Sequence, residues 1–392
     1  MVGRRLALLL AVALGPAGCG DASGPGEGAR FFASVSAGGQ HACAVSIAGD
    51  GYCWGRGATG ELGDGRGGNS VSPVRLARRI ALTEISAGLH HTCAVTVERA
   101  LYCWGWNRYG QLGGGGTADQ GVPVAIGDVA FAHVSSGWTH TCAVTPAGQA
   151  YCWGQNSQGQ LGDGSTTDRT RPTAVAGGLE LVAVTAGAFH TCGLARDGAA
   201  YCWGLNQLGQ LGTGRTTPEL HPAPVAGGVH FTAISAGYTH TCGLSADGQA
   251  YCWGSNGAGE LGNGTRSDNA SLAGSSTPVL VDQRVFGGIA FTAVAAGLEH
   301  TCGASTDARI FCWGRGVEGQ LGDARQLDRV TPHPAIADDG AQFAAVSAGA
   351  GPFTCGVSRG NGVYCWGRGD SGELGNPTTS SSATPIRIQP TP

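Results

Sequence analysis

The chain contains no lysine; all 23 of its basic residues are arginine. A phosphate-gripping loop needs a lysine and a following helix, so the glycine run "LGGGG" at 112–116 is not one. Charge of either sign is scarce, at 13% of residues. A formal net charge of −4 gives no reason to expect nucleic acid or an anionic surface as partner. Glycine is plentiful, at 71 residues, but it keeps no three-residue period, and aromatic and β-branched residues recur throughout. A collagen-like chain is excluded. No stretch shows helical periodicity, and the apolar run "LALLLAVAL" at 6–14 is too short for a mature membrane span.

What is present starts with that run. Arg4 and Arg5 precede it and "GPAGC" follows, ending at Cys19, the pattern of an export signal. Ala17, Gly18 and Cys19 resemble a bacterial lipoprotein signal, whose cysteine becomes the lipidated first residue; Pro16 departs from it where leucine is usual. Residues 1–19 are therefore expected to be removed or lipidated at Cys19, with 20–30 a flexible Gly-rich tether and 31–392 the folded domain. Ordinary secretion after nearby cleavage is the alternative. Both readings place the protein outside the cytoplasm, as an outer-membrane-associated lipoprotein or an extracellular protein. Contact with a membrane is expected only through the lipid.

Of 15 cysteines, 14 form seven pairs with members ten residues apart: Cys43 and Cys53, Cys93 and Cys103, Cys142 and Cys152, Cys192 and Cys202, Cys242 and Cys252, Cys302 and Cys312, Cys355 and Cys365. Cys19 is the one left over. The second member always opens "CWG", and successive copies lie 50, 49, 50, 50, 60 and 53 residues apart, a propeller-like or solenoid-like period. Each unit holds four short strand-forming segments, in the third "FAHVSSG", "HTCAVT", "QAYCWG" and "RPTAV". Seven such units predict an all-β fold, a seven-bladed β-propeller with four antiparallel strands per blade. A β-solenoid fits less well, because the hairpins are tight and no unit reads as a cap.

The turn "PAG" at 146–148 explains the spacing. A three-residue hairpin loop with glycine in the left-handed position pairs residue 145 with 149. Counting outward sets Cys142 opposite Cys152, at a non-hydrogen-bonded pair with Cα atoms about 4.5 Å apart, within reach of a disulfide. The spacing thus predicts seven disulfides, one inside each blade. A zinc site is the competitor, since His140 shares a strand face with Cys142; His41, His91, His190, His240 and His300 recur likewise. The seventh unit argues against it by keeping both cysteines where Phe353 replaces the histidine. No metal and no cofactor are expected. Trp54, Trp104, Trp153, Trp203, Trp253, Trp313 and Trp366 recur once per unit, as packing between blades would require.

The segment "ISAGYTHTCGLSADGQAYCWGSNGAGELG" (234–262) resembles the repeat of the regulator of chromosome condensation family, and the similarity runs from residue 31 to 388. The resemblance implies the propeller; it implies no single activity, because this fold carries many. Nucleotide exchange on a nuclear GTPase does not suit an exported chain. Light sensing through repeated Gly-Trp-Arg-His-Thr motifs does not suit one with a single "GWTHT" (137–141). Binding suits it better: a secreted β-lactamase inhibitor of this propeller class uses aromatic residues on one face.

The first and third connections of a four-strand meander emerge on the same edge. The first connections carry Leu89, Trp138, Phe189, Tyr238 and Leu298, a candidate apolar arc round one mouth of the ring, with Trp106 and Tyr109 in a neighbouring third connection. Such residues suit recognition of a protein or surface ligand, or fold inward as a plug. Nothing marks an enzyme. "SADGQAYCW" has the wrong spacing for an Asp-box, Glu299 and Asp119 read as isolated, and no nucleophile–base pair or carboxylate dyad is spaced for catalysis. The expectation is a monomeric binding or scaffold propeller. A structural envelope protein is the alternative, and a hydrolase or lyase at the channel mouth is the weaker one.

Overall fold

In a computed structural model, which describes residues 31–267 and 273–388, the chain forms 28 strands in seven antiparallel sheets of four, arranged as a propeller. The export signal, Cys19 and the tether lie outside the described residues, as does 268–272 within the long fifth loop. Blades 1 to 7 span 32–75, 82–125, 133–174, 181–224, 231–280, 291–334 and 343–387. Within each blade the strands follow chain order, so among the described residues no strand is exchanged to close the ring.

The turns set the register. In blade 3 the Thr145 amide donates to Gln149 O (2.9 Å) and the Gly148 amide to Thr145 O (2.9 Å), with Gly148 at φ 88°. This closes a three-residue loop, and Cys142 faces Cys152 across the ladder. All seven pairs are disulfide-bonded, with Cα atoms 4.0 to 4.1 Å apart.

The apolar core lies between blades. Between blades 1 and 2, Val45 and Leu62 pack with Leu82, Ile85 and Trp104; between blades 7 and 1, Phe353 and Leu374 pack with Phe32 and Trp54. Every blade's "CWG" tryptophan is fully buried. Four of these indoles donate to a backbone carbonyl of the preceding blade's Gly-[Gln/Glu]-Leu-Gly motif: Trp54 to Glu373, Trp104 to Glu61, Trp203 to Gln160 and Trp313 to Glu260. The motif's last glycine is forced by the same contact. Gly162 holds φ 67°, and a Cβ there would come within 2.7 Å of Trp203 Nε1.

The histidines join blades in the same way. His41 Nε2 meets Thr92 Oγ1 at 2.8 Å, and His91, His140, His190, His240 and His300 each meet the next blade's threonine at 2.8 to 2.9 Å. Each threonine hydroxyl also donates to a backbone carbonyl, as Thr191 does to Gln160 O, so it accepts from the imidazole Nε2–H. Burial lowers the histidines to about 3, and His240 to about 4, keeping them neutral. The seam between blades 7 and 1 lacks both partners: Phe353 stands for the histidine and Ala42 for the threonine, packed in one apolar cluster.

Candidate functional site

The first connections form a rim. In blades 1 to 6 the residue after the glycine of "AG" donates its amide to the equivalent glycine of the next blade: Gly39 to Gly88, Leu89 to Gly137, Trp138 to Gly187, Ala188 to Gly237, Tyr238 to Gly297, Leu298 to Gly349. In blade 7, whose loop is one residue longer, Gly351 donates to Gly38 and completes a closed circle of seven bonds of 3.0 to 3.2 Å. Glycine is obligatory as acceptor, because a Cβ on Gly137 would lie 2.5 Å from Gly187 O.

Just inside this rim, hydroxyls from the first strands link blades. Ser36 accepts from the Ala87 amide, Ser135 from Ala186, Thr185 from Ala236, Ser235 from Ala296 and Ser347 from Ala37, at 2.9 to 3.0 Å. They line a cavity of about 140 Å³ whose mouth is edged by Trp138 and Tyr238. Deeper in the channel, His133 Nδ1 lies 2.6 Å from Glu84 Oε1, and Glu84 also accepts from the Val134 amide. Burial opposes charge on His133, but the Glu84 carboxylate outweighs it and raises the imidazole to about 8.

The predicted aromatic arc is drawn together on one side. Trp138 and Tyr238 belong to blades 3 and 5, yet their rings stack at 4.3 Å and 21°; Phe189 lies 6.1 Å from Trp138 at 59°. The small Ala188, fully buried at the intervening rim position, lets rings from non-adjacent blades meet. All three aromatic side chains stay partly exposed. Leu89 and Leu298 are half-buried on the same rim, and Leu89 leans over Gly39, whose Cβ, were there one, would be 2.7 Å from Leu89 Cδ1.

Trp106 and Tyr109 form a second group, edge to face at 5.6 Å, with His90 against Trp106 at 6.0 Å. The Arg56 guanidinium donates to His90 Nδ1 (2.8 Å) and to the fully buried Glu61 carboxylate (2.7 Å). Burial first and the Arg56 charge second lower His90 to about 4, so its Nδ1 is free to accept. Sequence reasoning missed Arg56 and His90. The signal was available: units 1, 6 and 7 read "WGRG" where units 2 to 4 read "WGxN" with an aromatic, Gln or Leu, and unit 5 "WGSN". The face is thus divided, with Arg315, Arg368 and Arg56 on blades 6, 7 and 1 and the aromatic residues on blades 2 to 5.

Two carboxylates read as isolated are not. Glu299, in the first connection of blade 6, pairs with Arg315 in the third at 3.1 Å, and Asp119 accepts from the Asn107 amide at 2.8 Å because its own third connection folds back on itself. Among the described residues no three His, Cys, Asp or Glu side chains are grouped to hold a metal ion.

The regulator of chromosome condensation (RCC1) repeat model matches residues 48–95, 100–144, 147–194, 197–244, 247–304 and 361–392. The ultraviolet-B receptor UVR8 of Arabidopsis thaliana is 32% identical over 127 residues, 32% of this chain and 29% of the receptor. An X-linked retinitis pigmentosa GTPase regulator homolog of Caenorhabditis elegans is 32% identical over 82 residues, 21% of this chain and 6% of that protein. The chain therefore spans less than a third of the length of these curated relatives. The structure of Prp20p from Saccharomyces cerevisiae, reported with its binding to Gsp1p and histones, superposes with a TM-score of 0.76 at 21% identity, covering 92% of this chain and 88% of that one.

Proposed function

Because the chain belongs to the regulator of chromosome condensation (RCC1) repeat family, we propose that it is a binding propeller that displays its rim face to a protein ligand. The observation that carries this reading is the half-exposed cluster of Trp138, Tyr238 and Phe189 on a rim held by seven interblade hydrogen bonds. Aromatic side chains of this kind dominate protein interfaces, and a rim that is already ordered loses little entropy on binding. The chain is exported and anchored by lipid at Cys19. Its first strand starts at Phe32 on the opposite side from the rim, so an anchor there would leave the aromatic face pointing outward. The chemistry is recognition, with no catalytic step.

A structural role without a dedicated partner is the second reading, favoured by the Trp138–Tyr238 stack itself, which edges the channel mouth as a lid would. One comparison separates them: envelope proteins captured by residues 31–392 against those captured by the same domain carrying Trp138→Ala, Phe189→Ala and Tyr238→Ala. Binding predicts a partner lost only in the variant, with unchanged unfolding and disulfides. Equal capture by both moves the site elsewhere, and no specific capture by either favours the lid.

A further inference from the structure

We propose that the face opposite the rim rests on an anionic lipid surface through blades 1 and 2. That face carries the two-strand hairpin tips and the links between blades, and it is where the described chain begins, at Phe31. Phe31, Ile47 and Val97 are among the large apolar residues left exposed, at 44%, 62% and 54%. They lie along one continuous path. The Ile47 amide donates to Phe31 O, the Leu82 amide to Gly49 O and the Val97 amide to Ala81 O, at 2.8 to 3.0 Å. Arg78 and Arg79 in the link from blade 1 to blade 2, and Arg99 on the Val97 turn, are exposed beside this path. None of the three forms an ion pair among the described residues; of the carboxylates along this path, Glu98 lies beside Arg99 and Asp50, on the Ile47 turn, is paired with Arg75.

The hairpin tips on the far side are not basic: blade 5 presents Asp247, Asp197 of blade 4 is balanced by the neighbouring Arg196, and Asp307 of blade 6 pairs with Arg309 at 2.6 Å. A net charge of −4 over the whole chain therefore conceals a local basic and apolar patch on blades 1 and 2. Apolar side chains flanked by arginine are the composition that enters an anionic lipid interface. Among the described residues no helix is long and apolar enough to cross a membrane. The location of the chain start selects lipid as the occupant. This step rests on the reading of Cys19 as the anchor: eleven residues lie between it and Phe31, a reach of at most about 40 Å and on average about 20 Å. Tethering at that range supplies a millimolar effective concentration, enough to keep a weak surface contact occupied.

The test uses residues 31–392, because all seven blades and the seam between blades 7 and 1 are made by residues 32–388. Co-sedimentation is measured with vesicles of phosphatidylcholine alone and of phosphatidylcholine mixed equally with phosphatidylglycerol. The domain is expected on the mixed vesicles and not on the neutral ones, with binding that weakens as salt rises. Arg78→Glu with Arg79→Glu should lower the partition at least tenfold, Ile47→Ser with Val97→Ser should lower it as well, and Asp197→Ala with Asp247→Ala should not. All these side chains are exposed, so thermal unfolding of the variants should match the parent. Absence of the parent from mixed vesicles overturns the proposal, and so does a partition indifferent to the arginine pair. Palmitate labelling of the full chain and of Cys19→Ser tests the anchor separately, and either result can fail alone.

Discussion

The six buried histidines respond to acid in a direction fixed by their surroundings. Their folded pKa values near 3, or near 4 for His240, lie below the ordinary 6.5. Below 6.5 the unfolded chain therefore takes up protons that the native ring refuses. Stability should be indifferent to these groups above about pH 7 and fall steeply towards about pH 4, each histidine contributing up to about 1.4 kcal/mol per pH unit. Urea denaturation across that range measures it; a flat profile would mean the imidazoles are not neutral hydrogen-bond donors. His133 works in the opposite sense: raised to about 8 beside Glu84, its stabilisation is present below 6.5 and lost as pH rises through 8. The seam supplies a sharper test. Phe353→His alone would bury an imidazole N–H facing Ala42, and Ala42→Thr alone would bury a hydroxyl facing Phe353. Together they rebuild the pair seen at the six other interfaces. A double-mutant cycle should give a favourable coupling of about 1–3 kcal/mol, and no coupling would remove the proposed reason for the paired departures.

Within a blade, the hairpin of the second and third strands holds most of the recurring motif and its disulfide. Replacing Cys142 and Cys152 by alanine should cost about 2–3 kcal/mol, as removing a short cross-linked loop does, with the fully buried site adding to the loss. The midpoint of denaturation should shift to the same degree in one blade as in another. Alkylation of the unreduced, folded domain 31–392 should label no cysteine; any label would show an open pair. This hairpin was legible in the sequence down to its register, because glycine at position 148 admits one loop geometry and the loop fixes which residues face each other. The histidine's partner was not legible. Thr191 lies 51 residues from His140 in sequence, and only the docking of consecutive blades brings the two together.

Across the whole ring, the family repeat and the blade are out of step. The matched unit 48–95 starts in the hairpin turn of blade 1 and ends in the second strand of blade 2, so one sequence repeat encloses an interface rather than a sheet. Thr92 Oγ1 donating to Glu61 O is such an internal contact. Because no strand is exchanged among the described residues, and the 7–1 seam keeps the rim hydrogen bond and the tryptophan contact of the other interfaces while replacing their His–Thr pair by Phe353 against Ala42, the position of the chain break should matter little. A permutant that joins Ile388 to Phe31 through a short linker and opens the link between blades 3 and 4 should fold with a cooperative transition close to that of the parent; failure to fold would show that the seam is special. The sequence by itself determined the number of blades, the strands in each, the cysteine pairing and the regularly spaced tryptophans, since all of these are written in local periodicity and turn chemistry. It also named the residues of the rim. Tertiary structure alone decided that Trp138 reaches over Ala188 to stack on Tyr238, that Arg56 covers the buried Glu61, and that Arg78, Arg79 and Arg99 gather beside Ile47 and Val97 on the lower face. The physical reason is closure. A ring brings residues into contact across blades that have no fixed sequence separation, and the side chains at each meeting point, rather than the repeat, settle what they do there.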